Sequence, residues 1–222
     1  MSAKITVDFT AKEGLIRKEL YGSGLHIFVA TRHIADNSET FKTLRFPVVR
    51  NHDWSLNNPN QRMIDVHHIF PLMHLDPADE RNYYFAPSDE VIRLVYEAGS
   101  KVFYRMGTSI EHTEGVHFNA NPPEDFEKYA EVCAAIIRHY TKGWNNGFHY
   151  DMKYWEIWNE PEGRINMWTG TDEQFAKFFA QGFRVRFRGI RAVVNGDQAV
   201  VLGHDGLHQL DVQPVVEAVH LQ

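Results

Sequence analysis

The sequence has little that would tie a chain to an oxidising compartment, a membrane or a nucleic acid. Among 222 residues Cys133 is the single cysteine, so no internal disulfide framework can form. No Asn-x-Ser/Thr acceptor occurs, and no apolar run approaches the roughly 18 residues of a membrane-spanning helix. Met1-Ser2-Ala3-Lys4 runs directly into the strand-like segment Ile5 to Phe9 with no signal-peptide core, which gives a cytoplasmic expectation. The net charge of -6, without a Lys/Arg-rich block, argues against nucleic acid or an anionic membrane as partner and favours a neutral or weakly charged substrate. Glycine-rich phosphate loops and Ser/His/Asp strings are missing. The 13 histidines include His67-His68, His74, His112 and His117, but no HExxH or Cys/His spacing. They read as polar loop groups, and neither metal nor cofactor is expected.

What the chain does have is apolar material in alternating patterns. Hydrophobic residues make up 43% and aromatics 13%, enough for one large core, and no linker, repeat or low-complexity segment divides the chain. Leu20 to Ile27 can serve as a first strand, with His26 near its end. A short helix is expected around Ser38 to Thr43, then a second strand from about Leu44 to Asp53, weakened by Pro47. Residues 57–86 form a loop longer than a plain connection needs. Ser88 looks like the N-cap of a helix whose buried face is Val91, Ile92, Val95 and Ala98 and which Gly99 ends. A third strand, Lys101 to Gly107, follows. Pro122-Pro123-Glu124-Asp125 opens a helix carrying Phe126, Tyr129, Ala130, Cys133, Ile137 and Tyr140 at three- and four-residue steps, with Cys133 a small core residue. Thr171 to Gln174 is a capping-box pattern starting a helix with Phe175, Phe178, Phe179 and Phe183, and Ala199 to Gly203 reads as a fifth strand. Strands alternating with helices predict an α/β fold with a parallel sheet and helical crossovers.

Between the two long helical patterns stands Lys153 to Gly163, KYWEIWNEPEG. Its β-formers stop at Asn159-Glu160-Pro161, so it reads as a buried strand ending in a carboxylate, with Pro161 holding Glu160 extended. Strand alternation places Tyr154, Glu156, Trp158 and roughly Glu160 on one face and Trp155, Ile157 and Asn159 on the other. On the second strand, Val48, Arg50 and His52 share a face and Trp54 follows.

The run WNEP at a strand end resembles the acid/base strand of glycoside hydrolases built on (β/α)8 barrels. With VRNHDW upstream, the fuller string is most similar to family 39, the β-xylosidase and α-L-iduronidase group. The resemblance covers the chain to about Phe187. It implies a TIM (β/α)8-barrel type of fold, here a truncated barrel of about five parallel strands, with residues 1–222 a single partial catalytic domain. It implies a retaining mechanism with Glu160 as general acid/base, Asn159 on the sugar 2-hydroxyl, and Arg50 and His52 in contact with sugar. Trp54, Trp158 and His26 complete the expected substrate-binding set, and Trp168 is a further stacking candidate.

Hydrolysis needs a second carboxylate, about 5 Å from the first in retaining enzymes and about 6.5 to 9.5 Å in inverting ones. In the resembled family it ends the seventh strand, which in this count lies beyond residue 222. Asp53, Glu111, Glu156, Glu162 and Asp205 are the candidates present, and Asp205 alone follows a strand end. Glu156 sits about 13 Å below Glu160 at ~3.3 Å per residue, too deep for the chemistry, where Arg50 or Arg105 could neutralise it. The expectation is therefore a glycosidase whose isolated chain is inactive and self-associates through open sheet edges. The alternative is an inactive sugar-binding or remnant half-barrel.

Overall fold

Short β-branched runs and amphipathic helices alternate along the chain, and each junction is set by a residue with a particular backbone preference. The computed structural model describes residues 8, 10–11, 14–16, 18–24, 26–30, 34–51, 54, 62–110, 118–161, 167–183, 191–195 and 199–203. Strands β1 (Phe28–Ala30) and β2 (Ile34–Asp36) pair antiparallel apart from the main sheet. Helix α1 (Ser38–Leu44) follows and ends at Arg45, which is left-handed. Then come β3 (Val48–Arg50), the single-turn α2 (Val66–Ile69), α3 (Ala86–Glu97) and β4 (Lys101–Met106). Helix α4 (Phe126–Lys142) leads to β5 (Tyr154–Ile157), and α5 (Asp172–Lys177) runs on into a π-helical turn, Phe178–Phe183. Strands β6 (Arg191–Asn195) and β7 (Ala199–Gly203) close the described chain.

The helix ends follow their residues. Asp125 caps α4 by accepting from the Lys128 amide at 2.9 Å, and Gly143, left-handed, terminates it. Thr171 and Gln174 form the reciprocal capping box of α5. Helix α3 begins earlier than its sequence suggests. Pro87 takes a first-turn position, and Ser88 is not a cap: it is buried inside the helix and its hydroxyl donates to the Met63 carbonyl.

The sheet has the order β3-β4-β5-β7-β6. Strands β3, β4 and β5 are parallel, with Arg50 level with Phe103 and Tyr154, and Arg105 level with Glu156. The expected first strand is only a 3-10 turn, Lys18–Tyr21, followed by a single parallel bridge from Ser23 to Val49. The expected parallel fifth strand is instead antiparallel: β7 pairs antiparallel with both β5 and β6. The pairing of β7 with β6 is legible in Arg191 to Leu202, RAVVNGDQAVVL. Two β-branched runs joined by three residues that begin with Gly after Asn can only fold back as a hairpin, because a parallel pair needs a crossover of a dozen residues or more.

The two sides of the parallel strands differ. Val49, Val102, Tyr104, Trp155 and Ile157 are buried against α3 and α4 in a core that includes Val91, Ile92, Val95, Tyr129, Cys133, Ile136 and Tyr140. On the other side Arg50, Phe103 and Tyr154 are only half-buried. Burying each Val, Ile or Phe on the helix side is worth roughly 1.5–3 kcal/mol, so that layer carries the stability. Burial pushes the Cys133 thiol pKa well up, holding it protonated and inert. Iodoacetamide should therefore leave Cys133 unmodified in native buffer and alkylate it once denaturant unfolds the chain; native-state labelling at the rate of an exposed thiol would contradict this packing.

Candidate active site

Two residues after the start of β5, the inner side of the sheet carries a charge. Glu156 is 4% exposed, and Arg50 reaches across from β3 to grip it with two bonds, Nε to Oε2 at 2.6 Å and Nη2 to Oε1 at 2.7 Å. Such a fork-on-carboxylate pair fixes the plane of both groups, and removing one partner of a buried pair costs about 3–5 kcal/mol. The same Nη2 donates a further bond, 3.0 Å, to Oδ1 of Asn159, which is itself 1% exposed. Arg105, level with Glu156, takes no part in this pair. Its guanidinium turns to the Thr108 carbonyl, Ser109 Oγ and Asp65, while Asp65 also accepts from the Ser109 amide and hydroxyl at 2.7 and 2.9 Å.

Above this layer the chain leaves the sheet through a contorted turn. Trp158 has φ 66 and Glu160 φ 40, left-handed values that cost of order 1–3 kcal/mol each for residues with a Cβ. Two consequences correct the sequence reading. Glu160 is not extended despite the following proline. Trp158 leaves the face of Glu156 and packs beside Tyr129, Trp168 and Phe178, with its indole N–H on the Met167 carbonyl at 2.7 Å. The turn is held by the Trp158 amide, which donates to the Met106 carbonyl at 2.6 Å, and by Gly107, whose missing side chain lets the Trp158 backbone approach. Glu160 ends up exposed, and among the described residues its carboxylate has no hydrogen-bond or ionic partner.

Of the residues expected at the site, the structure joins two by a direct bond, Arg50 and Asn159. They meet on the inner side of the parallel strands, and Glu160 follows Asn159 directly in the exposed turn. Trp54 is fully buried and its ring lies 5.3 Å from that of His26, so burial gives it to packing. Trp168 is likewise buried, its indole N–H bonded to the Thr171 carbonyl at 3.0 Å. His52 lies outside the described residues, as do Asp53, Glu111, Glu162 and Asp205. Among the described residues no three His, Cys, Asp or Glu converge as metal ligands. The Asp65–Ser109–Arg105 cluster escaped the sequence reading, since nothing in the spacing of residues 65, 105 and 109 links them. Beside it, burial raises the Tyr104 phenol pKa well above its ordinary value, and that hydroxyl donates to the Ile64 carbonyl. Trp158 also borders a cleft of about 430 Å³ with His67, Phe118, Asn121 and Lys128.

Comparison with known proteins bears on what such an arrangement does. Over 110 residues the chain is 26% identical to a β-xylosidase from Caldicellulosiruptor saccharolyticus, covering 44% of this chain and 21% of that protein. It superposes on a glucosidase from Croceicoccus marinus with a TM-score of 0.62 and 26% identity, over 78% of this chain and 34% of that one. No family model matches. The chain is related to glycoside hydrolases. It spans about a fifth of the β-xylosidase and about a third of the glucosidase, and its three parallel strands are compatible with part of a (β/α)8 barrel.

The turn at Gly107 gives a direct test of this geometry. A Cβ at residue 107 would stand 2.6 Å from the Trp158 Cα, whereas one at Gly24 meets nothing within 4 Å among the described residues. Gly107→Ala should lower stability by about 1–3 kcal/mol and shift Trp fluorescence, with Gly24→Ala near neutral in the same thermal melts; equal melting of both variants would contradict the close approach.

Proposed function

We propose that this chain carries the acid/base portion of a retaining glycoside hydrolase of the family 39 type, on part of a (β/α)8 barrel. The observation that carries the reading is an exposed Glu160, without a partner among the described residues, set next to Asn159, whose amide is held by Arg50 in its pair with the buried Glu156. The half-buried inner side, with Phe103 and Tyr154, suits a barrel wall whose opposite wall lies outside the described residues; self-association through it belongs to the same proposal. The relatives' glycosidase names support the class, and xylose- or glucose-configured sugars are the substrates to try first.

In this mechanism the Glu160 carboxylic acid delivers its proton to the glycosidic oxygen as the bond to the sugar carbon breaks, and the resulting carboxylate then takes a proton from the water that completes hydrolysis. Asn159 donates to a sugar hydroxyl. The second carboxylate, needed about 5 Å away across the sugar, is assigned to a residue outside those described, because both oxygens of Glu156 are engaged by Arg50.

The acid/base assignment can be tested without that second group. An N-bromoacetyl xylosylamine or glucosylamine places an alkylating carbon where the glycosidic oxygen of a substrate sits, and a carboxylate there displaces bromide and becomes an ester. Mass spectrometry of the labelled chain should find Glu160 modified, and excess free sugar should slow the reaction. Labelling of Glu160 no faster than that of the exposed Glu127 and Glu173 would overturn the assignment.

A further inference from the structure

Taking Glu160 as acid/base, the reading above leaves open what decides which edge of Asn159 meets the sugar. An amide carries an acceptor on one side and donors on the other, and the two can exchange by a simple flip. A guanidinium has five N–H donors and no acceptor. Arg50 Nη2 lies 3.0 Å from the Asn159 side chain, so only Oδ1 can face it. The donor edge, Nδ2, is thereby turned away from Arg50. Its neighbour there is Met167 Sδ at 3.9 Å, a weak acceptor, and both side chains are buried, so a ligand oxygen reaches Nδ2 where the flexible thioether moves aside.

The guanidinium can enforce this only if it cannot rotate. Alone on a long flexible stem, and 29% exposed, it would not be fixed. Glu156 supplies the constraint. Both its oxygens are held, at 2.6 and 2.7 Å, by two different nitrogens of the same fork, and Nη2 splits its two hydrogens between Glu156 and Asn159. We infer that Glu156 is a positioning residue: through Arg50 it locks the Asn159 amide with its donor edge toward the ligand, so that the site selects an acceptor oxygen such as a pyranose hydroxyl. This rests on the glycosidase reading for the identity of the ligand and on geometry alone for the lock.

The test is side-chain NMR of the ¹⁵N-labelled chain. In the parent, the Asn159 Nδ2 hydrogens should give a dispersed pair of resonances that exchange slowly with water. In Glu156→Gln they should move toward free-amide positions and exchange about tenfold faster or more, since an oriented charge-assisted bond is lost. The Trp155 indole N–H, bonded to the Met152 carbonyl at 3.3 Å on the same strand, should stay in place and so exclude general loosening. If Glu156→Gln fails to fold, Glu156→Asp keeps Arg50 and the charge but shortens the side chain so that the two-bond fork cannot form as it stands, and is read in the same way. An unchanged Asn159 pair in a folded variant overturns the inference. Titration with xylose and glucose separates the two claims. A lock that responds to Glu156 while no sugar perturbs Asn159 sustains the positioning role and removes the glycosidase reading.

Discussion

The proposed site depends on one ion pair, its carboxylate buried, that crosses three strands. Arg50 and Glu156 are 106 residues apart in sequence and join only when β3, β4 and β5 lie parallel in a single register. A one-residue slip would send Glu156 to the helix side, where an unpaired carboxylate among Trp155, Tyr104 and Tyr140 would cost several kcal/mol. The pair is therefore a constraint on the sheet as well as a support for the site. Hydrophobic packing on the other side, dense in aromatic rings, provides the stability against which such a buried pair and two left-handed residues can be held.

The division of labour between the two sides explains where the aromatics went. Trp158, Trp168, Phe175 and Phe178 form one cluster behind the strand end, with Trp158 and Trp168 perpendicular at 5.2 Å. That cluster receives the Trp158 ring when the backbone turns left-handed, and it leaves Asn159 against Arg50 on the inner side with Glu160 next in the exposed turn. Backbone strain of this kind clusters at functional sites, which supports the proposed role of Glu160.

Much of this was readable from residues. The capped helices α4 and α5 announce themselves through Asp125 and Thr171, and the pairing of Glu156 with an arginine follows from strand alternation. The cap at Ser88 misled because a serine before acidic residues looks the same whether its hydroxyl bonds a helix amide or, as here, a distant carbonyl. The hairpin of β6 and β7 was misread because AVVLG alone fits any buried strand; the Asn-Gly pair before it held the answer. Strand alternation also fails at Trp158, where φ first changes sign, which is why the face of that ring could not be seen from spacing. Trp54 shows a further limit: a tryptophan after a strand end has the same signature under a loop as over a sugar.

The central claim is that Glu160 and Asn159 form one side of a sugar site held by Arg50 and Glu156. A crystal structure of the chain with a xylose- or glucose-configured iminosugar tests it most directly. The account expects the sugar above β5, with Asn159 Nδ2 and a Glu160 oxygen each within ~2.6–3.2 Å of it and the Arg50–Glu156 fork intact beneath. A ligand bound elsewhere, or a fork opened with Asn159 turned away, would contradict it.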